Sequence, residues 1–397
     1  MTSVFLARQP ILDRDQSVEG YELVYPHAEA ELTLIDDEAL ATARVALNAL
    51  SEIGLEHLVG QSRAWISVTP EFLSTGLVRN LPAQRVVLEL HNAPLLDEAM
   101  LELLHELREA GYRLALGEFT DTPEERQLLE LVDIVKLDML ALGARELARQ
   151  AFKLSPFGLT LVAEKIESYE DFRLAKAAGA DLFQGYFFCR PHLIGTRAIL
   201  PSRLALMRLA SALQDPAIEL ADLEHVISGD VGLSYRLLKY INSAYFGLRG
   251  RISSIKQAVA LLGIEPLRRW ATLSIFADLS DKPRELFVTA LIRADFCQRA
   301  GQPQDGPPAE LFTLGLFSVL DALNDTSMYT ALQDLPLTPS MRDSLIEHAG
   351  PGKLLECVMA IEQGSFEQAD EIVEGSSQHY LDAVAWCNDD GKQLLIS

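Results

Sequence analysis

Short apolar runs recur through the first half of the chain, most with polar residues interleaved and each closed by turn-forming residues. They fall at 4–12, 18–25, 64–68, 85–90, 112–116, 132–138, 159–163 and 181–183. Their length, β-branched content and period of two predict strands. Stretches with apolar residues three and four apart lie between them, at 37–53, 95–110, 122–130 and 170–178, and predict helices. Gly54 is placed to end the first helix, and Thr69-Pro70 to start another. Strands alternating with helices predict βα units and a mostly parallel sheet, and this many units in about 200 residues predicts a barrel. The first two runs flank the turn Asp13-Arg14-Asp15 as a hairpin would, so the barrel is expected to be modified at its first strand.

Beyond 191–201 the strand pattern fades. Helical spacing takes over at 203–213, 220–228, 231–242, 255–262, 266–276, 283–300, 310–323, 340–362 and 366–388. The fold class expected is α/β plus all-α. A modified TIM-type (β/α) barrel spans residues 1–195, and a helical domain spans 200–397 with its core at 200–300.

Composition narrows the function classes. The chain has 397 residues, 49% of them hydrophobic and 23% charged, with a formal net charge of −23. That acidity argues against nucleic acid or an anionic membrane surface as partner. No apolar run approaches the roughly 20 residues of a membrane span. Four scattered cysteines form no CxxC pair, so neither a zinc site nor a disulfide framework is expected, and the cytoplasm is the expected compartment.

Nearly every predicted strand delivers a polar residue at its C-terminal end: Glu22, Ser67, Glu89, Glu118, Lys136 with Asp138, Glu164 with Glu167, and Gln184. In a parallel barrel those ends form one mouth, where chemistry is normally placed. His91 shares the face of Glu89 by the two-residue period.

Several of these residues fall in recognisable blocks: Glu22-Leu23-Val24, Leu88-Glu89-Leu90, Lys136-Leu137-Asp138, Ala163-Glu164-Lys165-Ile166-Glu167 and Gln184-Gly185-Tyr186. Residues 1–195 thereby resemble the EAL domain, a barrel that hydrolyses cyclic-di-GMP with two divalent cations. The resemblance implies metal-ligand roles for Glu22, Glu89 and Glu118, catalytic roles for Lys136, Glu164 and Glu167, and ligand contacts from Gln184 and Lys136. It also exposes departures. Ser67 stands where the family has a ligating asparagine, Gly117-Glu118 where it has two aspartates, and Pro26 where it has a phosphate-binding arginine. A hydroxyl is a poorer ligand than an amide oxygen, glycine offers no ligand, and proline cannot form a bidentate phosphate contact.

Residues 227–246 and 255–263 similarly resemble the HDOD domain, a helical relative of the metal-dependent HD phosphohydrolases. Where those enzymes carry His-Asp, this chain has Ser318-Val319. The expectation is a pseudo-enzyme: a signalling protein acting through contacts with other signalling proteins, or as a homodimer, in or near cyclic-di-GMP signalling. No cofactor is expected, and the loss at Pro26 weighs against cyclic-di-GMP as a ligand. The competing expectations are a weakly active phosphodiesterase, for which Mg²⁺ or Mn²⁺ would be needed, and a cyclic-di-GMP-binding effector.

Overall fold

The computed structural model describes residues 6–24, 54–91, 98–191, 282–333 and 337–388, with short stretches between 209 and 270. Pro26 and the predicted helix 37–53 lie outside the described residues, as do most of 203–213, 231–242 and 266–276.

Eight strands close into a barrel in chain order. They are β1 (Ala7–Leu12), β2 (Val18–Val24), β3 (Arg63–Val68), β4 (Val86–Leu90), β5 (Arg113–Leu116), β6 (Ile134–Asp138), β7 (Thr160–Glu164) and β8 (Leu182–Gln184). β2 to β8 run parallel, while β1 is antiparallel to both of its neighbours, β2 and β8. The hairpin has an elementary cause. Only a few residues separate β1 from β2, too short for a crossover and long enough for a turn. Asp13 shapes that turn, its carboxylate accepting the amides of Asp15 and Ser17.

Helices cover the strands where the sequence supplies caps. Thr69 caps Pro70–Ser74, Thr122 and Glu125 form a capping box on Pro123–Leu128, and Ser168 and Asp171 form another on Tyr169–Ala178. Phe172 of this last helix stacks on Phe187 at a centroid distance of 4.9 Å. The helix Met139–Leu154 has no counterpart among the predicted elements. Gly143, at φ 68°, breaks its regular backbone near the start and interrupts the apolar spacing that would have announced it.

The barrel interior is layered. Ile11, Trp65, Val87, Ala115, Ile134, Val162 and Leu182 form one buried apolar cluster, a residue from every strand except β2. β2 offers Gly20 beside this layer. A Cβ there would come within 2.6 Å of the Trp65 indole nitrogen, so Trp65 fills the space that Gly20 leaves. Because strand side chains alternate, the next inward position is two residues along. It is Glu22 on β2, Ser67 on β3, Glu89 on β4, Gly117 just past β5, Lys136 on β6, Glu164 on β7 and Gln184 on β8. On the reversed β1 it is Gln9.

By internal contacts the chain divides into two compact units. One comprises Met1–Arg190, Pro283–Leu286 and Glu356–Asn388, and the other Pro191–Lys282, Phe287–Leu355 and Asp389–Ser397. Residues 356–388, read from sequence as part of the helical domain, thus belong with the barrel. Tyr186 donates to the Glu362 carbonyl at 2.9 Å, Asn388 donates to the His57 carbonyl at 2.6 Å, and Tyr21 donates to the Glu285 carboxylate at 2.9 Å.

The second unit is helical in its described residues. The stretch predicted as one helix, 310–323, is two: Pro308–Phe317 and Leu320–Asn324. The break falls at Ser318-Val319, where Ser318 Oγ donates back to the Gly315 carbonyl at 2.7 Å. Arg293 donates to the same hydroxyl at 3.3 Å, and Val319 is fully buried. Among the described residues no helix is long and apolar enough to cross a membrane.

Candidate active site at the barrel mouth

Lys136 is the centre of the polar layer. Its ammonium donates to Glu22 at 2.8 Å and to both oxygens of Glu89 at 2.8 and 3.1 Å, and lies 3.2 Å from Glu164. Lysine and Glu89 are almost wholly buried, at 2% and 0% exposure. Gln184 donates to Glu22 at 2.6 Å, and so fixes that carboxylate from the opposite side. Gly185 lets Gln184 sit there: at φ 145° its Cα abuts the backbone of Ile166, leaving no room for a side chain.

Three carboxylates face one ammonium in a buried layer, and the imbalance shows in their protonation. Burial, then the negative charge of Glu22, pushes Glu89 up to about 8 against the pull of Lys136. For Glu22 burial acts in the same upward direction, but the ammonium and the Gln184 amide outweigh it and hold the carboxyl below its ordinary value. Burial opposes the charge on Lys136, yet its carboxylates raise it well above the usual ammonium range. Lys136 is therefore charged, and of the two glutamates Glu89 is the one that keeps a proton.

Beside them stands His91, one residue past β4. Its Nε2 lies 3.0 Å from Ser67 Oγ and 3.3 Å from Glu89 Oε1. Burial, then Lys136, lowers its affinity for a proton, so the ring is neutral at pH 7. Donor atoms of Glu22, Glu89 and His91 all lie within 4.8 Å of one another, the one metal-holding geometry of three such residues among the described residues. The imidazole occupies the space above Gly117. A Cβ at 117 would lie 2.6 Å from Glu89 Oε1 and 3.1 Å from His91 Cε1. Two buried acceptors, Glu164 Oε1 and Gln184 Oε1, have no hydrogen-bond partner among the described residues. Orphaned oxygens, surplus negative charge and a neutral imidazole make a donor set that fits a divalent cation.

Two predicted site residues are not gathered here. Glu118 points outward with its side chain 63% exposed, 3.7 Å from Lys165. Glu167 is 54% exposed and lies 3.5 Å from Arg190. Both lie past strand ends, where the pleat no longer dictates direction. Lys165 was not singled out from the sequence, yet it bonds Asp138 at 2.9 Å and draws the ends of β5, β6 and β7 together. Glu118 and Lys165 are both left-handed, at φ 48° and 56°, a costly state for such residues that a surrounding structure must enforce.

Residues 3–191 match the EAL domain, and residues 200–332 match the HDOD domain. Over 401 residues the chain is 30% identical to the uncharacterized protein YuxH of Bacillus subtilis, covering 97% of this chain and 98% of that one. The chain belongs to the EAL–HDOD family. This EAL–HDOD protein is also 32% identical over 404 residues to the cyclic di-GMP phosphodiesterase CdgJ of Vibrio cholerae, covering 100% of this chain and 91% of CdgJ. A solved structure of BlrP1 from Klebsiella pneumoniae, a calcium and cy-diGMP complex, is similar at 22% identity and a TM-score of 0.38, over 48% of this chain and 56% of that one.

The relation to CdgJ corrects the expectation of a pseudo-enzyme, since a relative spanning the whole chain is a phosphodiesterase. That expectation rests on the departures at Ser67, Gly117-Glu118 and Pro26, with Glu118 at most a vestigial ligand. In the folded barrel the space at 117 is filled from the neighbouring strand end by His91, and Glu118 faces away.

Proposed function

We propose that this EAL–HDOD protein is a cyclic-di-GMP phosphodiesterase that requires a divalent cation. The observation that carries the reading is the buried layer in which Lys136 is shared by Glu22, Glu89 and Glu164, with negative charge left over at the barrel mouth. The whole-chain relation to CdgJ supports cyclic-di-GMP as the substrate. Glu22 and Glu89 would hold the cation, which would lend positive charge to the phosphate oxygens and lower the pKa of a bound water.

The protein's own groups supply the rest. Glu164 has one oxygen on Lys136 and the other buried with no partner among the described residues, and this second oxygen is the group to accept a proton from the attacking water. Oxygen of that water bonds to phosphorus as the phosphorus–O3′ bond breaks. O3′ takes up a proton and leaves as a hydroxyl, and the product is a linear dinucleotide ending in a phosphomonoester. Lys136 keeps its charge throughout and holds Glu22, Glu89 and Glu164 in one plane of action. Gln184 keeps Glu22 oriented.

The test is product analysis of cyclic-di-GMP incubated with the purified full chain and Mn²⁺ or Mg²⁺. Linear product is expected, with loss of about 10²-fold or more in rate for Glu164→Gln. Absence of product with either cation, in a folded protein, contradicts the reading.

A further inference from the structure

We infer that His91 is a metal ligand in this chain, taking the place left by the side chain missing at Gly117, and that the site consequently prefers transition-metal cations such as Mn²⁺ or Co²⁺ over Mg²⁺. The inference rests on the phosphodiesterase reading for the purpose of the metal, but not for the ligand assignment.

Three observations carry it. His91 Nε2 is within 3.3 Å of Glu89 Oε1 and within 3.0 Å of Ser67 Oγ, so the ring edge faces the carboxylates and not solvent. The donors of Glu22, Glu89 and His91 converge within 4.8 Å, a span that one cation bridges. A side chain at 117 would crowd the imidazole, its Cβ standing 3.1 and 3.2 Å from ring atoms Cε1 and Nδ1, and would meet Glu89 Oε1 at 2.6 Å. An aspartate at 117 would have presented oxygen to this space, and His91 presents nitrogen instead.

The exchange has a chemical consequence. Mg²⁺ takes oxygen ligands in a near-ideal octahedron and accepts imidazole poorly, whereas Mn²⁺, Co²⁺ and Zn²⁺ accept it readily and bind more tightly in that order of the series. Ligation through Nε2 requires the tautomer with its proton on Nδ1, which leaves the Nε2 lone pair to face the cation. Lys136 need not leave, because three carboxylates against one ammonium leave room for added positive charge.

The experiment is a Co²⁺ titration of the metal-stripped full chain, read by its visible absorption bands, beside a Mg²⁺ titration read by calorimetry. His91→Ala, His91→Asn and Glu89→Gln are taken through both, with circular dichroism to confirm folding. Wild type should bind Co²⁺ more tightly than Mg²⁺. Both His91 variants should shift the Co²⁺ bands and weaken Co²⁺ by about tenfold or more, while Mg²⁺ changes little. Unchanged bands and affinity in a folded His91 variant, or no Co²⁺ binding by wild type, overturn the assignment. Hydrolysis of cyclic-di-GMP is measured on the same samples. If hydrolysis persists and vanishes only in Glu89→Gln while the His91 variants keep the wild-type spectrum, the ligand assignment fails and the phosphodiesterase reading stands. If the spectrum depends on His91 and no sample hydrolyses, the assignment stands and the phosphodiesterase reading fails.

Discussion

Lys136 is the residue on which the site's electrostatics turn. Replacing it with methionine leaves Glu22, Glu89 and Glu164 buried together without a counter-charge, and removing one partner of a buried ion pair costs about 3–5 kcal/mol. Denaturant unfolding of Lys136→Met should show a loss of that order at pH 8, and added Mn²⁺ should restore part of it. Glu89 gives a pH dependence of opposite origin. Its pKa is raised from 4.5 to about 8 in the folded metal-free protein, so between those values the native state holds a proton that the unfolded chain releases. The stability contributed by that proton is present at low pH and is lost as pH rises through about 8. Melting temperature of the metal-free protein should therefore fall progressively from about pH 5 and level off above about pH 8, and Glu89→Gln should flatten that fall; an identical profile in wild type and variant would contradict the charge assignment. At this scale the inward placement of Glu89, Lys136, Glu164 and Gln184 follows the strand period, because each sits two positions beyond a core residue of its strand, and Glu22 sits two beyond Gly20. It does not show His91 filling the space at Gly117, since that meeting depends on the separation of two neighbouring strand ends and not on spacing within either.

The elements matter to function through their caps and ends. Glu125 is buried at the start of Pro123–Leu128 and accepts the amides of Thr120 and Thr122 at 3.0 and 2.9 Å. It thereby ties down the segment that follows Gly117 and Glu118. Glu125→Ala removes a capping-box partner and should cost about 1 kcal/mol, seen as a lower unfolding midpoint with unchanged slope. Strands were legible because their period of two is strong and their ends carry turn residues. The hairpin of β1 and β2 was legible for the same reason. The helix Met139–Leu154 was not, because the break at Gly143 splits its pattern, and the split at Ser318-Val319 was not, because a continuous apolar run hides a change of backbone direction. Glu118 and Glu167 were placed in the site by their position in motifs, but they stand on left-handed or irregular backbone where alternation ends.

The whole molecule adds a feature that no local pattern carries: residues 356–388 cluster with the barrel although they lie far along the chain. Helical periodicity can announce the helices Phe366–Ile372 and Ser376–Trp386, but not their partner in space. A chain ending after residue 355 should lose the bond from Tyr186 to the Glu362 carbonyl and that from Asn388 to His57. It should melt at a lower temperature, with the fluorescence of Trp65 changing in the same transition, and a barrel unaffected by that truncation would count against the division into units. The charge-rich mouth of this EAL–HDOD protein is proposed to be a working catalytic site. Its most direct test is the conversion of cyclic-di-GMP to linear dinucleotide by the full chain with Mn²⁺, run beside Glu89→Gln. Linear product from wild type and none from the variant is the result predicted, and a folded, metal-supplied wild type that leaves cyclic-di-GMP intact is the result that contradicts it.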